Sequence, residues 1–166
     1  MKAKFVNEAF EKKDKETARD DLLFPHLSEI VDGETLYNAL VNKLYVPKKK
    51  IKEFVHANND LALRWASKHG HANVVKILLD AGADVHADND YALRWASNNG
   101  HAEIVKILLD AGADVHAVND LALKWASKRG HANVVKILLD AGADKSVLNE
   151  TAKAKFVNEA FEKKSK

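Results

Sequence analysis

Apolar positions in the middle of this chain recur with a helical period and are broken at regular intervals by glycine. In residues 72–80, Val74, Val75 and Leu78 form one apolar stripe that Ile77 and Ala81 widen, which predicts an amphipathic helix ended at Gly82. A second short helix is predicted over 61–69, with Asp60 or Asn59 as its N-cap and Gly70 in a left-handed position at its end. Residues 83–88 join this pair to the next as extended or turn chain. Upstream, residues 35–43 and 47–55 read as two more helices, with Pro47 near a helix start, and 20–31 as a helical stretch interrupted near Pro25. Downstream, a helix over 150–164 places Phe156, Val157, Ala160 and Phe161 on one side.

The pattern is a literal repeat. Asn59-Asp60-Leu61-Ala62-Leu63-Arg64-Trp65-Ala66-Ser67 returns from Asn89 and again from Asn119, at an offset of 30 residues, and 24 of 30 positions match between 59–88 and either later unit. Such near-identity points to recent duplication or to a sequence written to a consensus. A helix pair of this size cannot bury its own apolar surface, whereas stacked copies can. Ala62, Ala66 and Ser67 are small enough to let neighbouring first helices approach closely. A second repetition lies outside this frame: residues 2–13, KAKFVNEAFEKK, reappear unchanged as 153–164.

The run from Gly70-His71-Ala72-Asn73-Val74-Val75 to Leu78-Leu79-Asp80-Ala81-Gly82-Ala83-Asp84-Val85 resembles the second half of an ankyrin repeat. The 30-residue length and the Asn-Asp opening resemble the ankyrin arrays of giant viruses that infect amoebae. The resemblance implies an all-α, ankyrin-repeat α-solenoid of helix-turn-helix units with helical caps at both ends. Its organisation would be a helical N-terminal region and cap or degenerate first repeat over 1–57, three repeats over 58–148 and a capping helix over 149–166. The family's Thr-Pro-Leu-His opening is absent; Leu61-Ala62-Leu63-Arg64 and its two copies stand there. An Asp60–Arg64 ion pair at i,i+4, repeated as Asp90–Arg94 and Asp120–Lys124, offers a replacement for the lost hydrogen bonds. The short unit also implies a shortened turn.

Composition narrows the function. The chain has 166 residues, with 26 basic and 24 acidic side chains, 46% apolar residues and no cysteine. It is too apolar for a disordered chain and too evenly charged for a nucleic-acid-binding tail. Disulfides, thiolate zinc sites and cysteine nucleophiles are excluded. No apolar run approaches a membrane span and the start lacks a signal-peptide core, so a soluble, intracellular, cytoplasmic protein is expected. Segments 1–57, 58–148 and 149–166 carry net charges of +1, −1 and +2, so electrostatic steering of an anionic partner is not expected.

Catalytic signatures are missing: there is no G-x-S-x-G, P-loop, H-E-x-x-H or dinucleotide glycine pattern. His71, His101 and His131 match the family's structural Gly-His, where the ring ties turn to backbone. His69 and His71 form an H-x-H in one unit only, and turn hydrogen bonds account for His86 and His116 beside their aspartates. Trp65, Trp95 and Trp125 form a ladder read as core or groove-wall packing, and Lys48-Lys49-Lys50 reads as a solvated helix start. No enzyme, metal or cofactor is expected.

Positions that differ between near-identical units are the informative ones. The resemblance places turn tips and the solvent side of the first helices on a concave binding surface. Lys68, His69, Asp88, Tyr91, Asn98, Asn99, Val118, Leu121, Lys128 and Arg129 map there, with Tyr91 the best single anchor. The expected function is a non-catalytic protein–protein interaction module that presents this rigid surface to a protein partner, without nucleic acid or membrane. The alternative is a consensus-like or engineered scaffold that self-associates as a homo-oligomer through its duplicated terminal helix. Phe5, Val6 and Phe10 and their copies Phe156, Val157 and Phe161 would carry that contact.

Overall fold

Stacking sets the architecture, because each helix pair finds its apolar partner only on its neighbours. The computed structural model describes residues 33–42, 44, 46–149 and 152. The expected stretches over 2–13 and 20–31, and the expected cap helix over 150–164 apart from Ala152, lie outside these residues. Among the described residues there are eight α-helices, a short 3-10 turn and no strand: α1 (Gly33–Val41), α2 (Lys48–Phe54), α3 (Ala57–His69), α4 (Ala72–Asp80), α5 (Ala87–Asn98), α6 (Ala102–Asp110), α7 (Ala117–Arg129), α8 (Ala132–Asp140) and the 3-10 turn Lys145–Val147.

The helices form two layers. In the inner layer α1, α3, α5 and α7 pack side by side, and in the outer layer α4, α6 and α8 do the same, each against the inner helix of its own unit. Leu63, Leu93 and Leu123 of the inner helices and Leu78, Leu108 and Leu138 of the outer ones are fully buried between the layers. Ala62, Ala66 and their copies are equally buried, as their small size requires where inner helices touch. The Ser67 and Ser97 hydroxyls are buried without a hydrogen-bond partner, so these serines serve by being small. The outer stripe holds Val74, Val75 and Leu78, while Ile77, expected to widen it, is 41% exposed.

The entry to each inner helix departs from expectation. Asn58-Asn59-Asp60, Asp88-Asn89-Asp90 and Val118-Asn119-Asp120 each form a left-handed turn, with φ between 53° and 59° at all nine residues. Each turn is closed by a backbone bond, from the Asp60, Asp90 or Asp120 amide to the carbonyl of His56, His86 or His116. Left-handed backbone costs an L-residue about 1–2 kcal/mol, least for Asn and Asp. Asp60 thus stands at the boundary where the right-handed segment begins at Leu61, but its carboxylate does not cap that segment, being taken by the Asp84 amide and the His56 ring.

Reversing the hand turns the aspartate inward. Asp60, Asp90 and Asp120 are 4–5% exposed. The expected i,i+4 pairs with Arg64, Arg94 and Lys124 do not form, because that spacing rule holds only within a right-handed helix. Instead each buried carboxylate accepts a backbone amide from the next unit: Asp84 N–H donates to Asp60 Oδ1 at 2.9 Å, Asp114 N–H to Asp90 at 2.8 Å and Asp144 N–H to Asp120 at 2.9 Å. His56, His86 and His116 donate from Nδ1 to the same carboxylates at 3.1–3.2 Å. Asp84 and Asp114 in turn accept the amides of His86 and His116. A continuous relay thus runs along the stack from His56 and ends at Ser146, whose amide donates to Asp144.

A second set of ties crosses units at the opposite end of the inner helices. His101 Nε2 donates to the Lys68 carbonyl at 3.1 Å and His131 Nε2 to the Asn98 carbonyl at 3.0 Å. The rings therefore bind the preceding unit's helix end, not merely their own turn. They lie against glycine: a Cβ on Gly70 would come within 2.9 Å of the His101 ring, and one on Gly100 within 2.7 Å of the His131 ring. Gly130 has the same left-handed φ, 79°, with nothing within 4 Å of a Cβ. Both Gly100→Ala and Gly130→Ala must hold alanine at positive φ, which costs about 1 kcal/mol. Gly100→Ala must also displace a ring, so urea denaturation is expected to show it as clearly the more destabilising; equal losses would mean that the histidine tie is not formed.

Candidate functional site

On each inner helix the positions facing away from the outer layer make one stripe. Leu61, Arg64, Trp65 and Lys68 are spaced i, i+3, i+4 and i+7 and are half-buried, whereas Ala62, Leu63, Ala66 and Ser67 between them are buried. Tyr91, Arg94 and Trp95 repeat this on α5, and Leu121, Lys124 and Trp125 on α7, with Lys128 exposed at the stripe's end. Side-by-side packing of α3, α5 and α7 joins the stripes into one face.

Aromatic rings and cations alternate across this face. Trp95 and Trp125 meet edge to face at a centroid distance of 5.5 Å, and Tyr37 of α1 meets Trp65 in the same way at 5.6 Å. The Lys68 ammonium lies 4.7 Å from the Trp95 ring centre, across a unit boundary. The Tyr91 ring has Arg64 at 5.2 Å and Arg94 at 5.7 Å, so it is held between guanidinium groups of consecutive units. Cation–π pairs of this kind contribute about 0.5–1 kcal/mol where water reaches them. The tryptophans form a half-buried wall, as the sequence suggests.

The same basic residues hold the left-handed turns. Arg64 donates to the Asn58 carbonyl at 2.8 Å and to Asp88 of the next unit at 3.0 Å. Arg94 donates to the Asp88 and Asn89 carbonyls, and Lys124 to the Asn119 carbonyl. Carbonyls of a single left-handed turn have no helical partner, and a long basic side chain five or six positions on supplies one.

The sequence-chosen positions separate on inspection. Lys68, Tyr91 and Leu121 are half-buried on the face, and His69, Asp88, Asn99, Val118, Lys128 and Arg129 are exposed along its edges. Asn98 is a correction: it is 7% exposed, its amide donates to Asn99, and its carbonyl accepts from His131. The copy at this position lost its charge and turned inward, so variation there reflects packing. Asn99 also bonds the Lys68 carbonyl at 2.7 Å. Phe5, Val6, Phe10, Phe156, Val157 and Phe161 lie outside the described residues. Sequence reasoning missed Arg64, Arg94 and Lys124 as members of the face, because they were assigned to ion pairs with the aspartates four residues before them.

Burial, followed by the charge of Lys68 and the neighbouring His71 and His101 rings, lowers the His69 pKa, favouring the neutral imidazole at this edge. Burial raises that of Tyr37. Among the described residues no group of three or more His, Cys, Asp or Glu is placed to hold a metal ion, and no helix is long and apolar enough to cross a membrane.

Val118 stands out on the edge. It is a β-branched residue at φ 53°, 51% exposed, where the other units have Asn58 and Asp88. Val118→Asn is expected to stabilise the chain by about 1 kcal/mol by removing left-handed strain. An unchanged or lower denaturation midpoint would show that the valine is not strained.

Compared with known families, residues 34–119 and 63–149 match the family model described as "Ankyrin repeats (3 copies)". No curated protein sequence matches the chain.

Proposed function

The chain belongs to the ankyrin-repeat family, and from that premise we propose that it works by presenting the inner-helix face to a protein partner. The family consists in general of protein–protein interaction modules and is typically non-catalytic. The observation that supports this reading here is the set of half-buried Tyr91, Trp95 and Trp125 rings, which lie outside the core, next to edge positions that vary between otherwise near-identical units. Aromatic side chains with an apolar body and a polar tip are favoured anchors for a partner. The backbone beneath them is fixed by two sets of ties between units, so binding would order little of the protein itself.

Position-specific photo-crosslinking tests this in the cells that naturally express the chain. A benzophenone side chain replacing Leu121 on the inner face is expected to give discrete protein adducts, and the same group replacing Ile137 in the outer layer is not. Adding Tyr91→Ala should lower the Leu121 yield severalfold, in keeping with a loss of about 1–2 kcal/mol at an interface anchor. Adducts from position 137 alone, or yields indifferent to Tyr91→Ala, would contradict the reading.

A further inference from the structure

The net charge of −1 over residues 58–148 conceals a segregation of charge. These residues carry 10 basic and 11 acidic side chains. In the right-handed parts of the inner helices, 61–69, 91–99 and 121–129, there are six cations and not one carboxylate: Arg64, Lys68, Arg94, Lys124, Lys128 and Arg129. The three carboxylates at the entries to these helices, Asp60, Asp90 and Asp120, are buried and occupied by the next unit's amide and by histidine. The remaining eight acids lie on the turns and outer helices, alongside the other four cations, Lys76, Lys106, Lys136 and Lys145. Packed helices sit about 8–10 Å apart, roughly the screening length at physiological salt, so Asp80, Glu103, Asp110 and Asp140 of the outer helices do little to neutralise the inner face, and of the turn acids only Asp88 pairs with one of its cations.

Resting on the reading above, we propose that the inner face selects an extended, acidic peptide segment of its protein partner. Only Arg64 of the six has a carboxylate within ion-pairing distance among the described residues, namely Asp88 at 3.0 Å. Lys68 is steered onto Trp95 by a cation–π contact, and Arg64 and Arg94 onto Tyr91, which places cations beside apolar rings. Carboxylates with an apolar neighbour match that alternation. A polyphosphate strand matches it less well, because the turn row with exposed Asp84, Asp114 and Asp144 borders the face and repels a uniformly anionic backbone. The span from Lys68 to Lys128 crosses two unit boundaries, about 16–20 Å, which about six residues of extended chain cover.

The test is selection from a random peptide library of about twelve residues, long enough for that span, against the full chain. The selected pool is expected to contain at least about twice the Asp and Glu content of the starting library. Its members should bind at least about tenfold more weakly to Lys68→Glu/Lys128→Glu, equivalent to about 1.4 kcal/mol, and unchanged to the outer-layer control Lys106→Glu/Lys136→Glu, with circular dichroism confirming that both variants are folded. A pool without acid enrichment, still sensitive to Tyr91→Ala, would overturn the acidic preference and leave the interaction face standing. A pool insensitive to both inner-face changes, or no selected pool at all, would overturn the face as well. Tighter binding of a single-stranded DNA oligomer than of the best acidic peptide would transfer the face to nucleic acid and overturn the proposal.

Discussion

The stack depends on a buried carboxylate that accepts an amide from the unit after it. Asp60, Asp90 and Asp120 take the Asp84, Asp114 and Asp144 amides, and each is also held by the histidine four residues before it. A bond to a charged acceptor contributes about 1.5–3 kcal/mol, and leaving such a carboxylate buried without it would cost more. This requirement explains the left-handed turns: a right-handed entry would leave the aspartate on the helix surface. It also explains why Asn and Asp crowd this position, since they tolerate that conformation best.

Two functions meet in the basic residue at the fourth position of the right-handed part of each inner helix. Arg64, Arg94 and Lys124 supply donors to the left-handed carbonyls, and so stand where the family's usual histidine is missing. In doing so they line the inner face with positive charge, while the aspartates that would have neutralised them are turned inward. The electrostatic character of the face therefore follows from the way the turn is built. A structural device that recurs in every unit thus sets the charge of the inner face.

Much of this was legible in the sequence. The outer helix was read with the bounds it has, Ala72–Asp80, because an apolar stripe at helical spacing ends at a glycine with nothing else to stop it. The left-handed Gly70 was read for the same reason. The entry turn was not legible, because Asn and Asp favour both N-caps and left-handed backbone, and only the position of the next unit decides between them. The Asp60–Arg64 pairing failed with it. The charge of the face was missed because a segment's net charge says nothing about which layer holds which sign. Asn98 was misplaced because variation between copies was equated with exposure, whereas its neighbours bury it.

The claim that the buried aspartates tie unit to unit is open to one direct measurement, amide hydrogen exchange at Asp84, Asp114 and Asp144. These residues lie on turns with exposed side chains, where an unbonded amide would exchange at free-peptide rates. Donation to a buried carboxylate should slow all three by about ten- to a hundredfold or more, on the strength of a hydrogen bond to a charged group. Exchange at the unprotected rate would mean that the relay does not exist in solution and that the units are held by apolar contact and the histidine–carbonyl ties instead.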